Sequence, residues 1–458
     1  MIAHLNLRRN LTALYIAIGA HAFAFYILYN TLVLWLISLG LPKATASSRF
    51  GAFVFAAYVT PMLGGWISTR TGLRPVAIVG AAMAATGYLL TSLSPLTGIV
   101  LVGIGCGFVK TAVTAMVGRL FPEGTPGADK AFAWFYSAIN VGAFFSPIAA
   151  SYLMSRYGFT TAFAVAAIGD LIVLATIAIN YRSLDVVESA SSIAAVTGVA
   201  VELPSDSEAE SRLDNAAGTL LTRRRKMVAL WIFLVLATLA FWPAYHQNGS
   251  GLTVWASEHT ERMTRWGEIQ PPMFALVNSL VCVFCGGLIV AAARWVAGTM
   301  TRRRCRGVVG VVTFVDGEMT SSHTRCDCDQ ATTNAIAPQT TPLSFSTIAG
   351  YLTMAASFAC LLVAPIAKSH PAWLITAIIL SSISEILISS LGLAQVAKLT
   401  PRHLQPIYTS VWFVTSGVGG QIAGLLGGFA LLTGFRVLVA LCLTGAVVAG
   451  ILRRKLDV

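Results

Sequence analysis

The chain has 458 residues, of which 56% are hydrophobic and only 11% are charged, and its mean hydropathy is +0.74. A soluble domain carries about 25% charged residues, so this composition excludes an ordinary soluble protein and predicts a polytopic membrane protein. The formal net charge of +12 is accounted for by Lys and Arg in cytoplasmic loops, so we expect no nucleic-acid partner.

The apolar segments, taken in chain order, predict about twelve transmembrane helices, each about 20 residues long. The first apolar run continues well past the length of a signal-peptide core and has no convincing cleavage site, so we expect it to remain as a spanning helix. The predicted spans are 11–39, 49–69, 73–94, 96–119, 131–154, 158–181, 227–254, 271–296, 345–367, 371–398, 404–431 and 434–452.

A polar stretch at 183–226 divides these spans six and six. It runs from the acidic "ELPSDSEAESRLDN" to the basic "RRRK", which is typical of a flexible linker. Six-helix bundles at 1–182 and 227–458 around such a linker resemble the major facilitator layout. We therefore predict an all-α membrane protein with the major facilitator fold.

Basic residues concentrate on one side of the predicted helices. The positive-inside rule makes this side cytoplasmic, so both termini are expected inside the cell, and the compact chain suggests a bacterial inner membrane. The opposite side has few basic residues, such as Lys43, Arg156 and Lys368. The cytoplasmic set is Arg8, Arg9, Arg70, Arg74, Arg119, Lys130, Arg182, Arg223, Arg224, Arg225, Lys226, Arg302, Arg303, Arg304, Arg306, Lys398, Arg402, Arg453, Arg454 and Lys455.

The segment 297–343 has no helical period and is predicted as an irregular cytoplasmic loop. Its cysteines and histidine offer an alternative, because such side chains ligate zinc. Their spacing is not a familiar metal pattern, so we predict neither a metal nor a cofactor. The residues concerned are Cys305, His323, Cys326 and Cys328.

Charged side chains inside predicted spans are few, and such groups usually face a cavity and serve transport. Lys110 lies deep in the fourth span and Glu385 in the tenth, so each half contributes one charge to the middle of the bundle. For Lys110 the alternative is a structural ion pair with Asp170. For Glu385 the alternative is a buried, protonated carboxyl group. His21, in the first span, is either a packing residue or a proton carrier.

The seventh span contains "FWPAYHQNGSG", in which hydrogen-bonding side chains interrupt an apolar run. Pro243 removes one helical hydrogen bond, and the two glycines loosen the backbone further. We predict a broken helix that lines a cavity and presents His246 to it. A polar contact between two helices is the alternative.

The segment "GGWISTRTGLRP", residues 64–75, resembles the loop between helices 2 and 3 of the major facilitator superfamily, G-x-x-x-D-R-x-G-R. Arg70, Gly72 and Arg74 match this pattern, whereas Thr69 replaces its aspartate. The resemblance implies a gating loop.

Further motifs recur in order along nearly the whole chain, outside 183–226 and 297–343, and resemble the proton-dependent oligopeptide transporter (POT) family. The resemblance implies that Tyr58, Asn278 and Glu385 line a peptide site and that Lys110 serves proton coupling or carboxylate binding. To the substrate-binding set we add Tyr26 and His246. The segments are "YVTPMLGGW", "GFVKTAVTAMVGRLFPEG", "FYSAINVG", "FWPAYHQNGSG", "MFALVNSLV" and "SEILISSLGLAQVAKLTP".

The first helix departs from the family pattern E-x-x-E-R. Ile18, His21 and Ala22 stand where the two glutamates and the arginine belong, and Tyr29 replaces a later arginine. His246 replaces the family's glutamate in helix 7. Either the cargo is not an ordinary di- or tripeptide, or proton coupling uses other residues. Because histidine titrates near neutrality when unperturbed, our hypothesis for the second alternative is that His21 and His246 carry protons together with Lys110 and Glu385.

These observations predict a monomeric transporter, not an enzyme, that moves small peptides or peptide-like solutes with protons by alternating access. No nucleotide-binding loop and no nucleophile–base pair is recognisable in the sequence. Two alternatives stay open: an exporter of drug-like or amphipathic compounds, and a non-transporting or decayed relative.

Overall fold

The computed structural model describes residues 2–121, 128–184, 224–265, 267–305, 342–400 and 405–457. Most of the predicted linker at 183–226 lies outside these residues, so the division of the chain at that point stays a prediction. His323, Cys326 and Cys328, the zinc alternative in the irregular loop, also lie outside them.

The first six helices correspond to the first six predicted spans. They are connected by short turns, and a glycine with positive φ stands at three of these turns: Gly40 (φ 85°), Gly72 (φ 86°) and Gly158 (φ 86°). The helices are α1 (Ile2–Ser38), α2 (Lys43–Thr71), α3 (Leu73–Leu90), α4 (Pro95–Arg119), α5 (Ala128–Tyr157) and α6 (Phe159–Ile179).

The second set of helices is less regular. Helix α7 (Arg224–Glu258) contains a π-helical turn and a 3-10 turn, and a two-stranded hairpin follows it, β1 (Met263–Thr264) with β2 (Gly267–Glu268). Helix α8 (Pro271–Ala297) contains a π-helical turn at Val281–Cys285 and continues to Cys305. The others are α9 (Leu343–Val363), α10 (Pro371–Glu385, continuing through a π-helical turn at Ile386–Ser390 to Leu391–Leu399), α11 (Gln405–Leu426), α12 (Leu431–Ile451) and the short α13 (Arg453–Leu456).

Within the described residues, eleven helices are long and apolar enough to cross a membrane. Helix α11 is the twelfth long helix and lies at the predicted position, although it is less apolar than the others. It packs against both α2 and α7, so much of its surface meets protein rather than lipid. This all-helical architecture confirms the predicted class of membrane protein.

Small residues let α2 and α11 approach closely near the start of α2. A Cβ atom on Gly424 would lie 2.6 Å from the Ser47 carbonyl oxygen and 2.8 Å from the Gly51 Cα atom. At the same end, Lys43 donates a 2.6 Å hydrogen bond to the Glu258 carboxylate, across the two sets of helices. We call this end of the molecule the Lys43 end.

The opposite end, which we call the basic end, carries Arg70 and Arg74. Here α2 still packs on α4, for a Cβ atom on Gly64 would lie 3.2 Å from the Phe108 ring, while Leu63 and Trp66 are each 55% exposed. The closest approaches between α2 and α11 lie toward the Lys43 end. We call the region between the two sets of helices toward the basic end the central cleft.

Candidate functional site

Helix α7 is broken where the sequence predicts it. A π-helical turn at Ala237–Phe241 precedes Pro243, and a 3-10 turn, His246–Gly249, follows. Gly249 allows α7 to touch the first half, since a Cβ atom there would lie 2.6 Å from the Phe50 ring and 2.7 Å from the Tyr29 ring.

The imidazole of His246 connects the two halves of the molecule. Its Nδ1 atom lies 3.1 Å from the hydroxyl of Tyr29 on α1, and its Nε2 atom lies 3.1 Å from the hydroxyl of Ser416 on α11. The ring is fully buried and stacks on Trp242 at 5.7 Å between centroids. Both ring nitrogens thus have hydroxyl partners, so the imidazole is held in one orientation.

The two polar residues after His246 form hydrogen bonds at the break in α7. Gln247 donates to the Ala423 carbonyl oxygen on α11 at 3.3 Å and accepts from the Gly251 amide at 3.1 Å. Asn248 donates to the Tyr245 carbonyl oxygen at 2.9 Å. The contact between Gln247 and α11 agrees with the alternative given for this segment in the sequence analysis, a polar contact between two helices.

The carboxylate of Glu385 accepts hydrogen bonds from three side chains of the second half. It accepts hydrogen bonds from Asn278 Nδ2 at 2.8 Å, from the Tyr245 hydroxyl at 3.2 Å and, more weakly, from Cys282 Sγ at 3.7 Å. Among the described residues, no cation forms an ion pair with it. Glu385 is the last residue before the π-helical turn of α10.

The ammonium of Lys110 has aromatic neighbours and, within the described part of the chain, no hydrogen-bond acceptor. It lies 3.9 Å from the centroid of the Phe25 ring and 4.1 Å from that of Tyr58, which are cation–π contacts. Its Nζ atom is buried without a hydrogen-bond partner. The alternative of a Lys110–Asp170 ion pair is not what the structure contains, because Asp170 pairs with His21.

His21 and Asp170 form a separate buried pair between α1 and α6. His21 Nδ1 lies 2.8 Å from Asp170 Oδ1, and the two side chains are 1% and 0% exposed. His21 is therefore not brought into the cleft with the other predicted site residues. The sequence analysis considered Asp170 only as an ion-pair partner of Lys110 and did not predict its contact with His21.

An aromatic cluster lies between the two isolated charges. The Tyr58 and His246 rings are 5.8 Å apart between centroids, and those of His246 and Tyr245 are 5.2 Å apart. Tyr26 stacks edge-on against Tyr29 at 5.8 Å. Lys110 contacts one end of the cluster through Tyr58, and Glu385 contacts the other end through Tyr245.

A cavity of about 460 Å³ lies between α5, α8 and α10. It reaches Glu385 through Cys282, which lines the cavity and contacts the carboxylate. Tyr136 from the first half and Arg294 from the second half also line it. Sequence reasoning did not select Cys282, Tyr136 or Arg294, although Tyr136 belongs to the quoted motif "FYSAINVG".

The arginines of the predicted gating loop lie against aromatic rings. Gly72 makes the turn between α2 and α3. Arg74 donates a hydrogen bond to the Tyr181 carbonyl oxygen at 2.9 Å, and its guanidinium lies 4.1 Å from the centroid of the Tyr181 ring. The guanidinium of Arg70 lies 4.0 Å from the centroid of the Trp66 ring. These contacts connect the loop to Trp66 on α2 and to Tyr181, which follows α6.

Comparison with known proteins gives one family match. The family model described as Major Facilitator Superfamily matches residues 14–315, which is more than half of the chain.

Curated relatives include peptide carriers of enterobacteria. The dipeptide and tripeptide permease A of Escherichia coli K12 is 25% identical over 446 residues, covering 88% of this chain and 81% of the relative. The peptide transporter YePEPT of Yersinia enterocolitica is 24% identical over 475 residues, covering 91% and 87%. These names agree with the family resemblance of the sequence motifs.

Solved structures share the fold along nearly the whole chain. A POT family transporter in complex with 5-aminolevulinic acid has a TM-score of 0.74 and 19% identity, covering 98% of this chain and 97% of that one. The peptide transporter POT in complex with sulfate has a TM-score of 0.74 and 19% identity, covering 98% and 95%. At this identity the likeness concerns the fold.

Proposed function

The chain belongs to the major facilitator superfamily, and we propose that it is a secondary active transporter that carries small peptides or peptide-like solutes by proton-coupled symport. The names of its curated relatives support a peptide cargo. The fold and these relatives are those of transporters rather than of enzymes.

The observation that carries the proposal is the pair of isolated charges on either side of the cleft. Lys110 in the first half and Glu385 in the second have no ion-pair partner among the described residues. A buried charge without a counter-ion is costly, and a zwitterionic peptide would compensate both. Its carboxylate would bind Lys110, its ammonium would bind Glu385, and its backbone would lie along the aromatic cluster.

Other predicted residues fit supporting roles. Asn278 donates to Glu385 and thereby orients the carboxylate. The Tyr58 ring contacts Lys110. The Tyr26 ring lies against Phe25, which also contacts Lys110. His246 is hydrogen-bonded on both sides, so we assign it to shaping the site and connecting the halves rather than to binding a charge.

Transport would proceed by rocking of the two six-helix bundles around this site. The positive-inside rule places the basic end in the cytoplasm, which makes the state described here inward-open and puts both termini inside. The bacterial relatives support a bacterial inner membrane. We propose that one chain is sufficient, since the site is built from a single copy.

One observation favours the second candidate, an exporter of amphipathic compounds. The position of a family arginine is Tyr29, whose hydroxyl is bound to His246, so the first half offers fewer cations to a carboxylate. Competition separates the two candidates: dipeptides would inhibit uptake by a peptide carrier and would leave drug export unchanged.

The proposed function is tested by uptake of radiolabelled dialanine into proteoliposomes under an inward proton gradient. We expect Lys110→Gln and Glu385→Gln each to lower the initial rate at least about tenfold, because each removes one end of the zwitterion site. Lys368→Gln and Glu261→Gln are matched controls, since both side chains are exposed outside the cleft. Wild-type protein that neither binds nor transports any dipeptide would overturn the proposal.

A further inference from the structure

Helices α5 and α8 are the least enclosed of the eleven long apolar helices found in the described ranges. In their most apolar stretches, 28% of the residues of α5 and 17% of those of α8 are buried, against 33–56% in the others. Helix α5 packs on residues 271–285, the first part of α8. Farther along α8, the cavity of about 460 Å³ lies between these two helices and α10.

Small side chains of α8 form an apolar wall of this cavity. Gly286 and Gly287 line it, and a Cβ atom on either would have no neighbour within 4 Å among the described residues. Glycines in membrane helices usually serve close contact between helices, and these two serve no such contact. Val290 and Ala291 continue the wall toward the basic end. We call this wall and the space beside it the α8 trough.

The guanidinium of Arg294 belongs to the far end of the α8 trough. Arg294 lines the cavity and is exposed, and within the described part of the chain it forms no ion pair. The next residue, Trp295, is 72% exposed. Arginine and tryptophan at the end of an apolar helix are typical of the headgroup level of a membrane.

The α8 trough has the length of one membrane leaflet. Cys282, at its inner end, contacts Glu385, the central residue of α10. Gly286 and Arg294 are about 12 Å apart along the helix axis, and Cys282 lies about one turn, 5 Å, beyond Gly286. The hydrocarbon of one leaflet is about 15 Å thick. The α8 trough therefore extends from the middle of the membrane to the headgroups.

The proposed peptide cargo does not account for the α8 trough. An extended chain spans at most about 3.6 Å per residue, so a dipeptide is about 7 Å long. A dipeptide whose ammonium binds Glu385 and whose carboxylate binds Lys110 does not reach Arg294. An elongated apolar chain with an anionic group at one end matches both the small apolar residues and the guanidinium.

We propose that the α8 trough binds an anionic glycerophospholipid of the cytoplasmic leaflet. Its phosphate pairs with the guanidinium of Arg294. One acyl chain lies along Gly286 and Gly287 and ends at Cys282. The positive-inside rule assigns the leaflet, and the binding itself does not depend on the identity of the cargo.

The charge of the lipid follows from the basic residues at this end of α8. Residues 302–304, two to three turns beyond Arg294, are all arginine. Clusters of basic residues at the cytoplasmic end of a membrane helix attract anionic lipids. A zwitterionic lipid brings an ammonium group to the same place and gains less from these cations.

A lipid in the α8 trough would also favour the state described here. Tyr136 of α5 and Arg294 of α8 line opposite sides of the cavity, so the acyl chain lies between the two halves. Under the proposed function, rocking that closes the basic end brings α5 toward α8 and expels the chain. A ligand that binds one state shifts the population toward that state.

The first test is native mass spectrometry of the full chain with phosphatidylglycerol or with phosphatidylcholine of the same acyl chains. We expect the wild type to retain phosphatidylglycerol at least about fivefold more than phosphatidylcholine. Arg294→Gln should abolish this preference. Gly287→Leu should lower phosphatidylglycerol retention to a similar extent, because the added side chain fills the α8 trough. Equal retention of both lipids by the wild type, or an unchanged preference in Arg294→Gln, would overturn the proposal.

Two control variants match these changes outside the α8 trough. Arg156→Gln removes an exposed cation from the last turn of α5, on the side predicted to be outside. Gly450→Leu adds a side chain on α12 where a Cβ atom also has no neighbour within 4 Å. Both should keep the wild-type preference. Loss of the preference in these controls as well would show general adhesion of lipid and contradict a defined site.

The position of the lipid is tested on the wild-type chain, which avoids any effect of a variant on folding. Phosphatidylglycerol with a photoreactive diazirine at the end of one acyl chain is cross-linked to the protein, and the labelled peptides are sequenced. We expect the label in peptides that contain Cys282 or Ile386, which meet at the inner end of the cavity. Label distributed evenly over the apolar helices would contradict the proposal.

The effect on the state is measured with a disulfide between Lys43→Cys and Glu258→Cys, which reports closure of the Lys43 end. Its yield should be higher in phosphatidylglycerol than in phosphatidylcholine liposomes, and Arg294→Gln should remove the difference. Equal yields in both lipids, with lipid still retained, would contradict the state preference. Absence of dipeptide transport with lipid still retained would contradict the proposed function and leave the lipid site intact.

Discussion

At the residue scale, His246 and Tyr29 stand where the family pattern has a glutamate and an arginine, and the two side chains form a neutral hydrogen bond. The imidazole lies between the hydroxyls of Tyr29 and Ser416, and these three side chains come from α7, α1 and α11. Neutral partners need no counter-charge, so this contact can form inside the membrane without the desolvation cost of an ion pair. The contact connects α7 to α1 and α11 beside the proposed peptide site.

Removal of the Tyr29 hydroxyl should therefore weaken the protein. We expect Tyr29→Phe to destabilise the folded state by about 1 kcal/mol, because a buried imidazole nitrogen loses its partner. Thermal unfolding in detergent measures this change. Tyr351→Phe is the control: its hydroxyl is buried and has no partner, so its removal should be nearly neutral, and an equal shift in both variants would contradict the argument.

At the element scale, the seam between α2 and α11 decides which end of the cleft is closed. The seam depends on glycines, since a Cβ atom on Gly424 would be 2.6 Å from backbone of α2. Close backbone approach through small residues is a common way for membrane helices to associate. The Lys43–Glu258 contact at the same end is 56% and 33% exposed, so it adds little to stability on its own.

A large side chain in this seam should hold the Lys43 end open. We expect Gly424→Leu to lower dipeptide counterflow at least about tenfold while the protein still purifies as a folded monomer. Disulfide formation between Lys43→Cys and Glu258→Cys reports closure and should fall in parallel.

Gly450→Leu on α12, outside the seam, is the matched control, because a Cβ atom on Gly450 has no neighbour within 4 Å. It should leave both counterflow and disulfide formation unchanged. Normal disulfide formation in Gly424→Leu would show that the seam does not control closure.

At the scale of the whole molecule, periodicity and span length predicted the helices because a membrane allows few other structures. The positions of Lys110 and Glu385 on opposite halves were also predictable, since charges within spans are rare. The His21–Asp170 pair was not, because it depends on the relative rotation of α1 and α6. A polar contact between helices was named as an alternative for the segment that contains Gln247, but its partner, Ala423, 176 residues away, was not predictable for the same reason.

The central claim is that one cargo molecule links the charges of the two halves. The most direct measurement is an experimental structure of the protein with dialanine bound. The account predicts the peptide carboxylate at Lys110 and the peptide ammonium at Glu385, with Tyr58 and His246 between them. A peptide bound elsewhere, with Lys110 still enclosed by Phe25 and Tyr58 and touching no ligand atom, would contradict it.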